Sequence, residues 1–331
     1  MATIDVVLGV EIEGTRVSFG LVDKFGNYVL EEKIPMKAHE PPESLFLRLN
    51  KKFNDIYSSV SDKYKLLGIG VAAPTANYAT GTIENSSNLN WKHVNVVELV
   101  QKYWDIPVVI TNDANAAALG EARYGVAKNF KNFIQITLGT GLGSGIVVDG
   151  NIVYGTDGFA GEIGHTTVVR NGRHCGCGRQ GCLETYVSTS GIIRTVSELL
   201  AMHNDESVMR EIPIHEMTSK LIYKAAINGD VVANTAFETT GQMLGESLAN
   251  AVAILSPEAI ILSEGLALAG DLIIRPTKFH MEKNLLNLFK GKVQILASGL
   301  TTGNVAILGA CALIWHELQL PKHTLRVVYA E

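Results

Sequence analysis

Residues 161–184 read GEIGHTTVVRNGRHCGCGRQGCLE and hold three of the four cysteines of the chain within eight positions. The glycines between the cysteines let the backbone turn tightly enough for three thiolates and one imidazole to surround a single ion. Cysteine and histidine at this spacing are the usual ligands of tetrahedral Zn²⁺. The sequence therefore predicts a structural zinc site with four ligands: His165, Cys175, Cys177 and Cys182.

Disulfide bonds and inert thiols are the alternatives to zinc. A secreted disulfide framework favours an even set of cysteines and a secretory leader. The chain starts MATIDVV, with neither the charged region nor the apolar region of a signal peptide. Cysteines one residue apart also bridge poorly, so zinc is favoured. The fourth cysteine, Cys311, lies in an apolar helical run and is predicted to be a buried small hydrophobe.

Composition and charge narrow the class of protein. The 331 residues suffice for two domains, 47% of them are hydrophobic, and the formal net charge is −5. Nucleic-acid binding needs clustered Lys and Arg, and no such cluster is present. No apolar run reaches the length of a membrane span. We expect a reduced, soluble, cytoplasmic protein that binds neither nucleic acid nor membrane.

Hydrophobic periodicity predicts similar strand patterns in the two halves of the chain. The predicted strands lie at residues 5–12, 15–22, 28–34, 66–73, 106–111, 133–138 and 259–263. Residues 145–154 are predicted to form a hairpin with Asp149 and Gly150 at its tip. Helices are predicted at 42–60, from 113 onwards, over much of 190–255, and from about 304, where one side carries Ala306, Gly309 and Ala310. The pattern indicates an α/β protein with two lobes, a cleft between them, and a boundary near residue 115.

Four segments carry distinctive motifs along the chain: residues 9–23 (GVEIEGTRVSFGLVD), residues 112–121 (NDANAAALGE), residues 138–146 (LGTGLGSGI) and residues 161–184. Together, and in this order, they resemble the ROK family of sugar kinases and sugar-responsive repressors. The first and third segments are similar to the two phosphate loops of that family, the second to its catalytic segment, and the fourth to its zinc and sugar signature. One glycine-rich loop would be weak evidence. The ordered set extends the resemblance over essentially the whole chain.

The resemblance implies a fold and an activity. The fold is the two-lobed, actin-like (ribonuclease H-like) α/β ATPase fold, with a central cleft and a small zinc-bound insertion. Residues 1–115 and 300–331 would form the first lobe, onto which the last helix packs back. Residues 116–299 would form the second, with the zinc and most of the nucleotide site. The activity is ATP-dependent phosphorylation of a hexose at C6, with glucose tested first, transient Mg²⁺, and a dimeric or tetrameric homo-oligomer.

The resemblance also assigns roles to residues at the sugar. Asp113 would accept the proton of the C6 hydroxyl, although a plain helix N-cap is the alternative for this residue. His165 would bind zinc through one ring nitrogen and a hydroxyl through the other. Solvated loop acids are the alternative for Glu162 and Glu184. The implied sugar contacts are Asn88, Asn112, Asp113, Glu162, His165 and Glu184.

On the nucleotide side, glycine-rich turns let backbone N–H groups approach phosphates. The residues that the resemblance places at the nucleotide and its metal are Glu11, Gly14, Thr15, Gly139, Thr140, Gly141 and Gly265. Three segments depart from the family pattern. Glu11 and Glu13 stand in a loop that usually reads Asp-x-Gly-Gly-Thr. Ser263 and Glu264 stand in a nucleotide-side segment where glycines are usual, and Thr75 stands where Gly is common.

Two hypotheses follow from these departures. The chain is either a working ATP-dependent hexose kinase or a sugar-binding relative with weakened phosphoryl transfer that acts as a sensor or regulator. The repressor branch carries a helix-turn-helix ahead of the first phosphate strand, which here begins near Ile4, so a DNA-binding repressor is disfavoured. A zinc-ribbon nucleic-acid module is disfavoured by the charge. The kinase is the favoured hypothesis.

Overall fold

The computed structural model describes residues 3–86, 89–300 and 304–320. The chain divides into two compact units. Unit 1 contains Met1–Asn129, Ile152–Ala160 and Gly299–Glu331. Unit 2 contains Phe130–Asn151 and Gly161–Ser298. Both units combine helices with a mixed sheet, which confirms the predicted α/β class.

The described residues contain thirteen strands and eight α helices. The strands are β1 (Ile4–Ile12), β2 (Arg16–Asp23), β3 (Tyr28–Pro35), β4 (Tyr64–Ala72), β5 (Ala76–Asn77), β6 (Thr82–Ser86), β7 (Trp91–Asn95), β8 (Val108–Thr111), β9 (Phe133–Thr137), β10 (Gly143–Val148), β11 (Asn151–Ile152), β12 (Ala259–Ser263) and β13 (Gln294–Ala297). The helices are α1 (Pro42–Tyr57), α2 (Val96–Gln101), α3 (Asp113–Arg123), α4 (Thr189–Met202), α5 (Ser219–Ile227), α6 (Val231–Leu255), α7 (Asp271–Asn284) and α8 (Val305–Glu317).

The main sheet of unit 1 has the strand order β3-β2-β1-β4-β8. The first three strands form an antiparallel meander, and β4 and β8 continue the sheet in parallel with β1. The centre of β1 and the end of β4 are buried on both faces, which explains why they read as continuous apolar runs. Because β8 ends at Thr111, the residues that follow it emerge at the carboxyl end of the parallel strands.

The last helix packs on the sheet of unit 1 through small residues. A Cβ atom on Gly70 would lie 1.9 Å from the carbonyl oxygen of Ala310. A Cβ atom on Gly309 would lie 2.0 Å from the carbonyl oxygen of Ala116 in α3. These contacts leave no room for a side chain, so the glycines allow α8 to approach β4 and α3 closely. Cys311 is fully buried, as expected for an apolar role.

The main sheet of unit 2, with the order β11-β10-β9-β12-β13, repeats the arrangement of unit 1. Strand β10 is antiparallel to β9, whereas β12 pairs in parallel with both β9 and β13. The predicted tip of the β10–β11 hairpin is confirmed, since Asp149 and Gly150 have φ angles of 50° and 79°, as a type I′ turn requires. The two halves of the chain thus use the same strand order.

The boundary near residue 115 inferred from the sequence falls inside α3, whereas the whole of α3 belongs to unit 1. The reason is the packing of α3 on α8, which the sequence pattern does not display. The segment Ile152–Ala160 also belongs to unit 1, where Tyr154 stacks on Tyr78 with ring centroids 4.3 Å apart. Within the described ranges, no helix combines the length and apolar character needed to cross a membrane.

Candidate functional site

The four predicted zinc ligands lie together in unit 2. Their ligand atoms are all within 4.8 Å of one another. The Sγ atoms of Cys177 and Cys182 are 3.7 Å apart, and the Sγ of Cys175 is 3.6 Å from Nδ1 of His165. Bonds of about 2.3 Å to a central zinc give tetrahedral edges of about 3.8 Å. The donor set and its spacing therefore fit Zn²⁺, and all four cysteines of the chain are free thiols.

Backbone hydrogen bonds and glycines hold the cysteine loop in shape. The Cys175 N–H donates to the Arg179 carbonyl at 2.9 Å. A Cβ atom on Gly181 would lie 1.7 Å from the Val169 carbonyl oxygen, and Gly181 has a φ of 75°, so only glycine fits there. The Arg173 guanidinium, which the sequence analysis missed, lies over the ring of Tyr186 at 4.4 Å and donates to carbonyl oxygens beyond the loop. Arg173, two residues before Cys175, therefore anchors the cysteine loop to residues that follow it in the chain.

His165 presents its two ring nitrogens to different groups. Nδ1 faces the thiol of Cys175, whereas Nε2 lies 3.9 Å from a carboxylate oxygen of Glu162. Metal-binding histidines commonly have a carboxylate near the ring nitrogen that does not bind the metal, and the arrangement of His165 matches this pattern. Glu162 itself is exposed.

Glu184 joins the cysteine cluster to the glycine-rich turn between β9 and β10, residues 138–142, which we call loop 2. Its Oε2 accepts the Leu142 N–H at 2.9 Å, and its Oε1 lies 3.7 Å from the Cys175 thiol. A Cβ atom on Gly141 would lie 2.4 Å from Oε2, so glycine is needed for this contact. Glu184 is therefore a structured residue, and the alternative of a solvated loop acid is wrong for it.

Loop 2 is fastened to the start of α4. The Thr189 N–H donates to the Gly139 carbonyl at 2.9 Å, and the Ser190 hydroxyl donates to the Thr140 carbonyl at 3.0 Å. These bonds use carbonyl oxygens of the loop and leave the Thr140 side chain exposed. Gly265 packs beneath the loop, where a Cβ atom would lie 1.9 Å from the Leu138 carbonyl oxygen. All the predicted phosphate-loop residues of unit 2 therefore meet in one place.

In unit 1, Asn112 and Asp113 divide two tasks at the start of α3. The Asn112 side chain is the N-cap and accepts the Asn115 N–H at 2.7 Å. Asp113 is the first helical residue, and its carboxylate accepts the adjacent Ala114 N–H at 2.9 Å. The N-cap alternative for Asp113 is therefore wrong, because Asn112 fills that position.

The Asp113 carboxylate has an unusual electrostatic environment. The residue is solvent-accessible, yet protein surrounds the carboxylate closely enough that desolvation raises the pKa of Asp113. The hydrogen bond from Ala114 opposes this rise in pKa, and the negative charge of Glu13 adds to it. A carboxylate with a raised pKa at the end of a parallel strand is suited to accepting a proton.

The turn between β1 and β2, together with the strand residues on either side of it (residues 11–16), lies within the segment predicted as the first phosphate loop, and we call it loop 1. Glu11 is half-buried and accepts a hydrogen bond from the Asn304 amide, which the sequence analysis did not foresee. Desolvation raises the pKa of Glu11, and the nearby charges of Glu13 and Asp113 raise it further. Gly14 and Thr15 form the tip of this turn. Loop 1 thus brings acidic residues to the same end of unit 1 as Asp113.

The charge of Glu13 is compensated inside loop 1. Its two carboxylate oxygens contact Nε and Nη2 of Arg16 in a fork, with the Nη2 bond at 3.2 Å. Planar guanidinium–carboxylate pairs of this kind are the strongest ion-pair geometry. The side chains remain 50% and 36% exposed, so the pair neutralises charge more than it stabilises the fold.

Two of the departures from the family pattern retain a backbone that favours glycine. Thr75 has a φ of 53° and Glu264 a φ of 62°, and a β-branched residue such as threonine is seldom found there. The predicted sugar contact Asn88 lies outside the described residues. The other predicted site residues form two groups, one in each unit, and their roles stay predictions.

Comparison with known proteins identifies the family. Residues 7–317 match the model of the ROK family, and the chain belongs to that family. The glucokinase of Halalkalibacterium halodurans is 35% identical over 282 residues, covering 83% of this chain and 84% of that protein. The xylose repressor of Caldicellulosiruptor bescii is 31% identical over 273 residues, covering 81% of this chain and 68% of the repressor.

A solved structure agrees with this assignment. The ROK glucokinase from Streptomyces griseus, crystallised with glucose and AMPPNP, superposes with a TM-score of 0.73 at 30% identity. The match covers 93% of this chain and 98% of that one. The α/β fold is therefore that of ROK sugar kinases, a family in which relatives named kinases and relatives named repressors both occur.

Proposed function

We propose that this chain transfers the γ-phosphoryl group of ATP to the C6 hydroxyl of a hexose, with glucose as the first substrate to test. The observation that carries the proposal is the state of Asp113. Its carboxylate is not used as the helix cap, is solvent-accessible, and has a raised pKa. The glucokinase relatives, and the glucose and AMPPNP bound to the Streptomyces griseus enzyme, support the choice of sugar and donor.

In the proposed reaction, the hexose oxygen attacks the γ-phosphorus as Asp113 accepts the hydroxyl proton. The new P–O bond forms as the bond between the γ-phosphorus and the bridging oxygen breaks, and ADP leaves with that electron pair. Mg²⁺, when bound with ATP, neutralises charge on the phosphate oxygens. Positioning and electrostatic stabilisation supply most of the rate acceleration in such reactions.

The sugar would be held by polar groups of both kinds, donors and acceptors. We assign sugar contacts to Asn112, Glu162, His165 and Glu184, and propose Asn88 as a further contact. Carboxylates can each accept from two hydroxyls, and the Asn112 cap leaves the amide Nδ2 for an acceptor. Zinc at the thiol cluster would fix the orientation of the His165 ring, so that the metal would affect sugar binding by positioning this side chain.

The donor phosphates would be bound by loop 2 (Gly139, Thr140 and Gly141) and by loop 1 (Gly14 and Thr15). Backbone N–H groups in glycine-rich turns form concavities for anions. Gly265 supports loop 2 from below, and Glu11 would act on the metal side of the phosphates. The Glu13–Arg16 pair supports activity, because Arg16 compensates a negative charge that would otherwise repel the phosphates of the donor.

A coupled ADP-release assay tests the proposal with ATP, Mg²⁺ and a panel of glucose, N-acetylglucosamine, N-acetylmannosamine, mannose and fructose. We expect saturable turnover with at least one hexose and a loss of about 10²–10⁴-fold in Asp113→Asn. Asp55→Asn, at an exposed position of α1, is the matched control and should keep full activity. Turnover that survives in Asp113→Asn would refute the assigned base.

A sugar sensor with weakened phosphoryl transfer is the second candidate. The acidic residue Glu264 beside the donor loop and the xylose-repressor relatives favour it. Calorimetry decides between the two, since hexose binding without ADP production would support the sensor and exclude the kinase. We also propose that the chain forms a dimer or tetramer, and light scattering on the purified protein would test this oligomeric state. We propose further that it works in the cytoplasm.

A further inference from the structure

Glu264 occupies a backbone conformation that is otherwise nearly restricted to glycine. Its φ and ψ angles are 62° and 173°, in a region where a side chain costs free energy. Such a conformation persists only when the surroundings hold it, and residues of this kind concentrate at ligand sites.

Hydrogen bonds on both sides fix the segment. The Leu138 N–H donates to the Ser263 carbonyl at 2.9 Å, and the Leu266 N–H donates to the Leu138 carbonyl at 3.0 Å. The Glu264 carbonyl itself accepts the Ala267 N–H at 2.7 Å. The backbone at residue 264 is thus clamped against the last residue before the glycines of loop 2.

The Glu264 carboxylate lies against that loop. A Cβ atom on Gly139 would come within 3.2 Å of Glu264 Oε2, so the carboxylate stands beside the first peptide of the glycine turn. Both groups belong to unit 2, and the residue is exposed to solvent. A polyanion bound by the loop 2 N–H groups would therefore have a fixed negative charge as its neighbour.

We propose that Glu264 is a specificity-determining residue that makes loop 2 bind a polyphosphate donor as its complex with a divalent cation and disfavours the free polyphosphate. The inference rests on the proposed function, because it presumes that loop 2 receives the donor phosphates. Like charges about 4 Å apart near a protein surface repel each other more strongly than they do in bulk water. A hard divalent cation binds carboxylate and phosphate oxygens together, and the repulsion then becomes attraction.

Calorimetry with AMPPNP tests the proposal, since this analogue binds without turnover. Affinity is measured with Mg²⁺ and with EDTA for the wild type, Glu264→Gln and Glu264→Gly. Glu264→Gln keeps the side chain and the strained backbone but removes the charge. Glu206→Gln, at an exposed position elsewhere in unit 2, controls for the change in net charge.

We expect Mg²⁺ to tighten AMPPNP binding to the wild type, and this gain to shrink by about tenfold in Glu264→Gln, chiefly because binding in EDTA becomes tighter. The control should keep the wild-type gain. Glu264→Gly should match Glu264→Gln in binding and melt at a higher temperature, because the strain is relieved. The same Mg²⁺ gain in wild type and Glu264→Gln would overturn the inference. Absence of AMPPNP binding in the wild type and in both Glu264 variants would instead refute the proposed function.

Discussion

Replacing Glu184 with alanine is expected to weaken binding of both the sugar and the phosphate donor. One carboxylate oxygen of Glu184 holds loop 2 through the Leu142 N–H at 2.9 Å. The other lies 3.7 Å from the Cys175 thiol, beside the proposed sugar contacts. A residue placed in this way acts on the donor without touching it, by ordering the loop that binds the phosphates.

The size of each effect follows from the contacts that are lost. A hydrogen bond to a charged group contributes about 1.5–3 kcal/mol, which corresponds to about 10–150-fold in an equilibrium constant. Binding of the phosphate donor is affected only because loop 2 is less ordered, so the KM for ATP should rise by about tenfold, at the lower end of that range. Binding of the hexose is affected both by the less ordered loop 2 and by the loss of a direct hydrogen-bond acceptor, so its Kd should rise by about a hundredfold or more.

Calorimetry with the preferred hexose and steady-state kinetics in ATP measure the two effects separately. Glu184→Gln is the informative partner variant, because its amide oxygen can still accept the Leu142 N–H. We expect it to keep the KM for ATP within about twofold and still lose hexose affinity. Glu216→Ala, at an exposed site in the same unit, is the control, and melting curves check folding. If Glu184→Ala loses hexose affinity with an unchanged KM for ATP, the link through loop 2 is wrong.

Four further predictions concern the metal, the charges and the packing. Chelation should release about one zinc per chain, measured by atomic absorption, and weaken hexose binding; a metal-free protein with full affinity would contradict the coupling. Arg16→Ala should raise the KM for ATP by about tenfold, because the charge of Glu13 is then uncompensated, and the double variant with Glu13→Gln should return the KM to the wild-type value. An unchanged KM in both variants would show that the ion pair has no part in donor binding. Because folding raises the pKa of Asp113, the folded state binds a proton at this carboxylate more tightly than the unfolded state does. Asp113 therefore stabilises the fold at pH values below its pKa in the unfolded chain, and this stabilisation is lost as the pH rises through its pKa in the folded chain. Asp113→Asn should therefore raise the melting temperature at neutral pH, and a lower one would refute the desolvated carboxylate. Gly70→Ala should lower the free energy of unfolding by about 2–3 kcal/mol in urea titrations, since its Cβ would overlap the Ala310 carbonyl; full stability would mean that α8 can shift.

The fold was predictable where local pattern and burial coincide. Strand β12 matches its predicted bounds, because five consecutive apolar or small residues are buried on both faces. Helix α7 was not predicted, since Pro276 lies inside it and only Ile273, Thr277 and Met281 are buried along its length. The small sheet β5-β6-β7 was also missed, because a two-residue strand such as β5 is defined by its partner rather than by its own sequence.

The candidate site was predictable to the extent that it is local in sequence. The metal ligands lie within eighteen positions of one another, so their spacing carries the signal. The contact between Asn304 and Glu11 joins residues 293 positions apart, and the sequence around neither residue indicates that the two side chains meet. The Glu13–Arg16 pair is local, and its three-residue spacing across a tight turn could have indicated it.

The division of the chain has a consequence for laboratory dissection. The backbone passes from one unit to the other four times, and the nine residues Ile152–Ala160 return to unit 1 directly before the cysteine loop. Neither unit is a contiguous stretch, so no single truncation or protease cut can liberate either of them intact. Isolating unit 2, which contains the metal-binding residues, would require a redesigned connection in place of the segment Ile152–Ala160. Point variants in the undivided chain are therefore the practical means of assigning roles to the two groups of residues.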